Sequence, residues 1–201
     1  VLQSRGLGDV YKRQVLVSVL ICFVIGVPLG VIASYNKWYR DIQNVVLDAM
    51  QTLPYFCYFI PVLMFFGGNI VSAVIATVIY SVPPIIRLTA LGLSQVSGSY
   101  SEVSKSFGGT GIQTLNKVKF PLAVPSLVMG FNQTVIMAFA MQIVTPLIGG
   151  KGLGLQVFNA LQRSDTGRGL SAGLAIVLLA IIIDRITHAW TKKQRQALGL
   201  D

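Results

Sequence analysis

Polar side chains that could bind a small molecule are rare in this sequence of 201 residues and stand inside long apolar stretches. Asn132 and Gln133 follow Pro121 by about 11 residues, which is about 17 Å along a helix and therefore near the middle of a bilayer. Polar groups at that depth are costly unless they face other helices or a water-filled path. The two residues therefore either line a solute path or form hydrogen bonds to neighbouring helices or to a second subunit.

Four aromatic residues follow Pro54, and they are Tyr55, Phe56, Tyr58 and Phe59. Aromatic faces attract cationic groups, so Tyr55 and Tyr58 are candidates for the same solute path. Packing against neighbouring helices is the alternative role for aromatic residues at helical spacing.

Charged residues in the apolar stretches are few, and we interpret them as structural. Asp184 and His188 stand four residues apart near the end of the last stretch, where they can pair, and Asp48 can pair with a basic neighbour. His188 is the only histidine, so we expect no metal site. No Gly-rich phosphate-binding loop is present, so we expect this chain to be no enzyme and to hydrolyse no ATP.

The composition is that of a polytopic membrane protein. Hydrophobic residues make up 53% of the chain and charged residues 11%, whereas soluble domains carry roughly a quarter charged residues. The net charge of +9 is not accompanied by a basic patch with stacking aromatics, so we expect no nucleic-acid binding.

Five stretches are long enough to cross a bilayer as helices. The predicted fold class is therefore all-α, a bundle of about five transmembrane helices. The predicted spans are 15–34, 44–66, 70–91, 122–147 and 170–190.

Lysine and arginine favour the cytoplasmic side of a membrane. With residues 1–14 set aside, one predicted face carries ten basic residues and the other three. The ten are Lys37, Arg40, Arg87, Lys105, Lys117, Lys119, Arg185, Lys192, Lys193 and Arg195. The three are Lys151, Arg163 and Arg168. We therefore predict that the N-terminus lies outside and that the tail, residues 191–201, lies in the cytoplasm.

Residues 1–14 differ in character from the remainder of the chain. They carry four charges and no apolar helical face, they lack the cleavage site of a signal peptide, and their basic run would violate the predicted orientation. We interpret them as an artefactual leader and the membrane domain as 15–190.

The loop at about 95–121 is the longest polar segment between two spans. Ser99 and Glu102 have the spacing of a capping box, so they predict a short helix that ends at Gly108. A second helix is predicted from about Ile112 toward Pro121. Together they would form a compact knob on the cytoplasmic side.

The spacing of Glu102, Gly108 and Pro121 in this loop resembles the coupling loop of binding-protein-dependent importer permeases. The other positions of that pattern are occupied by Val103, Ser104, Val118 and Phe120. The resemblance implies that the loop docks on a cytoplasmic ATP-binding-cassette ATPase and transmits its closure to the membrane helices.

The resemblance extends over about 15–190 and is closest to the glycine betaine/L-proline branch. It is carried by DAMQTLPYFCYFIPVLMFFG, PPIIRLTALGLSQV, FNQTVIMAFAMQIV, GGKGLGLQVF and GLAIVLLAIIIDRIT. It implies a multi-pass subunit of a bacterial-type inner membrane that forms a homodimer and works with ATPase subunits and an extracytoplasmic solute-binding protein. No cofactor is implied for this chain, since ATP and Mg would be held by the ATPase.

Other functions have less support in the sequence. A secondary transporter or channel would need inverted repeats, a charged relay or a selectivity filter, and none is visible. The function of a membrane scaffold would not require the spacing of Glu102, Gly108 and Pro121 in the loop. Permeases for methionine, phosphonate, nitrate, an amino acid or another quaternary amine would share the loop, and they remain alternatives for the solute.

Overall fold

The computed structural model describes the backbone of residues 2–197, and the side chains of 13–189 other than 183, 187 and 188. The described residues form helices and no strand, which confirms the all-α prediction. The α-helices are α1 (Leu2–Tyr35), α2 (Lys37–Thr52), α3 (Phe56–Phe66), α4 (Ile70–Ser81), α5 (Pro83–Gln95), α6 (Gly98–Ser106), α7 (Gly111–Thr114), α8 (Phe120–Gln142), α9 (Leu153–Gln162) and α10 (Thr166–Ala197).

Four helical segments are long and apolar enough to span a membrane, namely Arg13–Tyr35, Ile70–Gln95, Gly111–Gln142 and Thr166–Ile186. The pair α2 and α3 gives a fifth if the two helices are counted as one span, which agrees with the predicted number. The backbone of α1 begins at Leu2 and continues without a break into its apolar part. The interpretation of residues 1–14 as a leader stays a prediction.

The second predicted span, 44–66, is not a single straight helix. The chain bends by 92° between α2 and α3. Leu53 is extended, with φ −67° and ψ 133°, because proline disfavours the helical conformation in the residue before it. Pro54 therefore ends α2 and redirects the chain, whereas Pro83 and Pro84 begin α5, where their missing N–H groups cost least.

The fourth predicted span, 122–147, begins earlier and ends earlier than expected. The second helix of the loop and the span are one continuous helical segment, Gly111–Gln142. A π-helical turn, Leu115–Lys119, joins α7 to α8. Because the helix does not break at Pro121, the loop and the membrane bundle share a rigid element.

The centre of the bundle is α5, which packs between α1 and α8. Small residues allow these helices to approach closely. Close packing is expected because the hydrophobic effect does not drive helices together within a lipid bilayer. A Cβ at Gly30 would lie 2.5 Å from Thr89 Cβ, and one at Gly92 would lie 2.5 Å from Ser126 Cβ. The predicted pairing of Asp48 is confirmed, since Arg87 donates a hydrogen bond to it over 2.6 Å and joins α2 to α5.

Candidate functional site

The segment 97–114 forms the predicted knob, and we define it by that name. It begins with α6, whose N-cap is Ser97 and not Ser99. Ser97 Oγ accepts from the backbone N–H of Ser99, because Ser97 is the last residue with non-helical backbone before the first turn. The predicted capping box of Ser99 with Glu102 is therefore wrong, and Glu102 is exposed on α6.

Two glycines close the turn between α6 and α7. Gly108 has φ +76°, a left-handed conformation that glycine adopts without strain. Gly109 donates its N–H to Ser104 O over 2.9 Å, and a Cβ at Gly109 would lie 2.7 Å from that oxygen. Both positions therefore depend on glycine.

The second helix of the knob has the capping box that the first one lacks. Thr110 and Gln113 satisfy each other's backbone N–H groups at the start of α7. Ser104 Oγ lies 2.8 Å from Thr114 Oγ1 and links α6 to α7. Of the predicted coupling residues, Ser104 thus holds the knob together from inside.

Apolar side chains are exposed on the knob. Tyr100, Val103 and Phe107 follow one another at spacings of three and four residues, so they share one face of α6. Phe107 is 88% exposed and Ile112 on the next helix is 74% exposed. We call Tyr100, Val103, Phe107 and Ile112 the knob patch. Sequence reasoning missed three of them, although an aromatic residue directly before Gly108 in a polar loop was a usable signal.

The remaining coupling residues lie at the base of the knob. Val118 belongs to the π-helical turn, and Phe120 and Pro121 form the first turn of α8. Phe120 packs against the buried cluster that contains Leu93 and Leu127. The seven predicted residues therefore form three groups. Glu102 and Val103 are exposed at the tip, Ser104 and Gly108 hold the two short helices together, and the other three lie at the base.

The two polar residues predicted near mid-membrane have different surroundings. Asn132 is 7% exposed and its Nδ2 donates to Asp184 Oδ1 over 2.5 Å. Gln133 is exposed on the surface of the chain. Asp184 is level with Asn132 and therefore lies deeper than the helix end at which the sequence placed it. The predicted pairing of Asp184 with His188 falls outside the described side chains.

The predicted aromatic residues lie at another depth. Tyr55 contacts the rings of Phe56 and Phe59 and packs against the cluster that contains Met141. Met141 follows Asn132 by nine residues, which is about 14 Å along α8. Tyr58 Oη donates to the carbonyl oxygen of Met50 across the bend. The structure thus does not bring Tyr55 and Tyr58 together with Asn132.

The described residues contain no group of three His, Cys, Asp or Glu side chains that could hold a metal ion. The geometry is that of a helical knob rigidly attached to a membrane bundle, with an amide–carboxylate pair in its interior.

Comparison with known proteins places this architecture in a family. Residues 26–196 match the family described as binding-protein-dependent transport system inner membrane component. The chain is 45% identical over 181 residues to the glycine betaine/carnitine transport permease protein GbuB of Listeria monocytogenes, which covers 90% of this chain and 64% of that protein. It is 43% identical over 181 residues to the glycine betaine/proline betaine transport system permease protein ProW of Escherichia coli, with 90% and 51% covered.

The chain therefore spans about half to two thirds of the length of these curated relatives. Among solved structures, an inward-facing MetNI methionine ABC transporter matches with a TM-score of 0.82 and 20% identity, over 92% of this chain and 93% of that chain. At that identity the likeness shows the fold alone. The matched residues, the membrane helices and the fold together establish that this chain belongs to the family of binding-protein-dependent transport system inner membrane components.

Proposed function

We propose that this chain is the membrane-spanning subunit of an ATP-binding-cassette importer that moves glycine betaine, proline or a related compatible solute across a bacterial inner membrane. The observation that carries the proposal is the knob. It exposes an apolar patch on α6 and α7, and α7 is continuous with a membrane span, which is an arrangement suited to transmit motion from a soluble partner into the bundle.

The proposed partner at the knob is a cytoplasmic ATPase. Exposed aromatic and aliphatic residues on a rigid helix are typical centres of protein interfaces. The phosphate-binding loop that hydrolysis would require is absent from the sequence, so ATP and Mg belong to that partner. This assignment puts the knob and the C-terminus in the cytoplasm and the start of α1 outside.

The proposed solute follows from the relatives. Proteins named as glycine betaine, carnitine and proline betaine permeases resemble this chain at 43–45% identity, and a second copy of the permease and an extracytoplasmic binding protein would complete the importer. Another methylated amine is the second candidate, because the trimethylamine N-oxide permease protein TmoV of Ruegeria pomeroyi is 34% identical. Asn132, Gln133, Tyr55 and Tyr58 remain proposed parts of the path.

Uptake of labelled glycine betaine into proteoliposomes tests the proposal. The vesicles hold the permease, its ATPase and its binding protein, and the variant combines Glu102→Arg with Gly108→Leu to disrupt the knob. Asp41→Arg is the matched control, since it reverses an exposed charge on α2.

We expect ATP-dependent uptake that the knob variant abolishes and the control retains, with both variants inserted in the membrane. Uptake that persists in the knob variant or without ATP contradicts the importer assignment. ATPase stimulation without betaine transport would contradict the solute alone.

A further inference from the structure

An arginine–aspartate pair lies at the depth at which the sequence places the middle of the membrane. A Cβ at Gly130 would lie 3.3 Å from the Cα of Ile85, so the first turn of α5 is level with Gly130 on α8. Arg87 is in that turn, and Gly130 stands only two residues, or about 3 Å, before Asn132. The contact of Arg87 with Asp48 over 2.6 Å is therefore near mid-membrane.

Both members of this pair are accessible on the surface of the chain. The side chains of Arg87 and Asp48 are 39% and 63% exposed, so neither is enclosed by packed helices. Ionisable side chains within a membrane almost always face a bundle interior or a water-filled cavity. The surface that carries the pair therefore faces water or another polar surface, and not lipid hydrocarbon.

The exposed Gln133 on α8 belongs to the same surface. α1 covers one side of the contact between α5 and α8, where it meets Thr89 and Phe131. Arg87 precedes Thr89 by two residues on α5, which is about 200° round the helix. Gln133 follows Phe131 by the same interval on α8. Both side chains therefore point away from α1, and an ion pair and an amide share one exposed face at one depth.

The pair has hydrogen-bonding capacity that its own contact does not use. A guanidinium group carries five N–H donors and a carboxylate has two acceptor oxygens. Among the described residues, the contact joins Nη2 of Arg87 to a single oxygen of Asp48. A ligand that approaches from the exposed side can therefore bind to either charge without breaking the contact between α2 and α5.

A neutral pair of opposite charges discriminates between ligands by their charge distribution. A cation that is attracted by Asp48 is repelled by the adjacent Arg87, and an anion meets the reverse. A zwitterion can lie antiparallel to the pair, with its carboxylate at the guanidinium group and its cationic end at the carboxylate. Both contacts are then favourable, and no net charge enters a region of low dielectric constant. The pair therefore favours zwitterions, whether their cationic end is a quaternary, secondary or primary ammonium.

We propose that Arg87 and Asp48 form a weak binding site for zwitterionic solutes, and that the surface they share with Gln133 lines the water-filled path of the importer. The proposal rests on the proposed function, because it assumes that the transported solute is a betaine, proline or another solute of that charge type. It gives a ligand to an ion pair that the sequence assigned to structure.

Protection of an engineered cysteine tests the site apart from transport. Leu91 follows Arg87 by one turn of α5 and is 44% exposed. Leu91→Cys is introduced together with Cys57→Ser, which removes an exposed native cysteine. Labelling by a charged methanethiosulfonate reagent is followed in the purified complex of permease and ATPase. We expect the new cysteine to react, because water reaches this face, and a cysteine that does not react would overturn the proposal.

Three probes of one shape separate the effect of charge from that of size. Glycine betaine is the zwitterion, 3,3-dimethylbutanoate is its anionic isostere, and the amide of glycine betaine is its cationic isostere. We expect glycine betaine to slow labelling about tenfold more than either isostere at equal concentration. Equal protection by all three probes would show that the site does not discriminate by charge, and it would overturn the proposal.

Neutralising one member of the pair should change the preferred probe. Asp48→Asn should make the anionic isostere the best protector, whereas Arg87→Gln should favour the cationic isostere. Exchange of the two charges, Asp48→Arg with Arg87→Asp, should restore the preference for glycine betaine. A pair that only holds α2 against α5 would produce no such changes of preference. Asp165→Asn, in an exposed ion pair directly before α10, is the matched control and should behave like the parent protein.

The two proposals fail in distinguishable ways. A preference for glycine betaine that is the same in the parent, Asp48→Asn and Arg87→Gln proteins would overturn the site even if betaine is transported. Protection by glycine betaine that both single variants lose, in a complex that transports a different zwitterion and no betaine, would support the site and overturn the proposed solute.

Discussion

The knob exposes apolar side chains to solvent, whereas the contact of α8 with α10 buries an amide and half-buries a carboxylate among apolar ones. Phe107 is 88% exposed and Asn132 is 7% exposed. Asn132 lies in the continuous helix Gly111–Gln142, and Phe107 lies in the knob just before it. Both are unusual, because phenylalanine is most often buried and asparagine most often exposed. We therefore attribute the exposed knob patch to the proposed ATPase partner, whereas the buried amide is explained by its hydrogen bond to Asp184.

The two regions also differ in the interactions that fix the positions of their residues. The knob is fixed by hydrogen bonds within 97–114, and the side chains at its tip, Glu102 and Val103, are exposed. The pair Asn132 and Asp184 is fixed by the packing of two long helices, and its members lie 52 residues apart in sequence. Local changes should alter the first region alone, and changes at the pair should affect the stability of the whole bundle.

The largest expected effect comes from Asn132→Leu. The substitution removes the donor to a carboxylate in a medium of low dielectric constant, so we expect the free energy of unfolding to fall by about 2 to 3 kcal/mol. Thermal denaturation of the purified permease in detergent measures it. Thr134→Val is the control, because the Thr134 hydroxyl is buried and has no partner among the described residues. Equal loss in both variants would mean that the amide contact contributes nothing.

Phe107→Ser should leave the stability of the chain nearly unchanged and weaken its binding to the ATPase. We expect the free energy of unfolding to change by less than about 0.5 kcal/mol, since the ring contacts solvent, and the affinity for the ATPase to fall about tenfold or more. Binding of the purified ATPase to permease in nanodiscs measures the second quantity. Phe107→Leu should retain most of the affinity. A stability loss without a change in affinity would show that the patch is not an interface.

Gly108→Ala tests whether the fold of the knob depends on the left-handed backbone conformation at Gly108. The left-handed conformation at Gly108 should cost alanine about 1 to 2 kcal/mol, so amides of α6 should exchange hydrogen faster while those of α5 do not change. Gly98→Ala is the control, because Gly98 is helical with open space around it. Faster exchange in the Gly98 variant as well would remove the conformational explanation.

The smallest effect is expected from Thr110→Ala. Loss of this cap should destabilise α7 by about 0.5 to 1 kcal/mol, and it should be visible as faster exchange of the Gln113 amide. Thr110→Ser keeps the hydroxyl and should exchange as the parent protein does. An unchanged Gln113 amide in the alanine variant would show that α7 is held by its continuity with α8 instead.

The sequence was sufficient for features that depend on local chemistry. The apolar stretches predicted five spans, and the capping residues before Gly108 together with the helical segment from about Ile112 predicted a knob of two short helices. It failed where two local signals competed. Ser97 and Ser99 are both good N-cap residues, and only the backbone conformation decides between them. The predicted second span contains Pro54, but the 92° bend there depends on the packing of α2 against α5 and of α3 against α4.

The interior site could not be predicted for a different reason. Asn132 was recognised from its depth, but its partner depends on the register of α8 against α10, which no local pattern specifies. Asp184 was placed near a helix end by counting apolar residues, whereas α10 continues well beyond it to Ala197. The division of Tyr55 and Asn132 between two depths likewise required the positions of separate helices.

The π-helical turn Leu115–Lys119 lies between the knob and the membrane part of the continuous helix. Each residue of an α-helix turns the chain by about 100° and advances it by about 1.5 Å, and a π-helical turn holds a surplus residue relative to that repeat. Because the wider turn absorbs this residue locally, the helical segments on its two sides keep their rotational relation. Deleting one residue such as Asn116 should therefore leave the knob patch facing the same way, whereas deleting one residue from the regular part of α8 should rotate the knob by about 100° relative to the bundle.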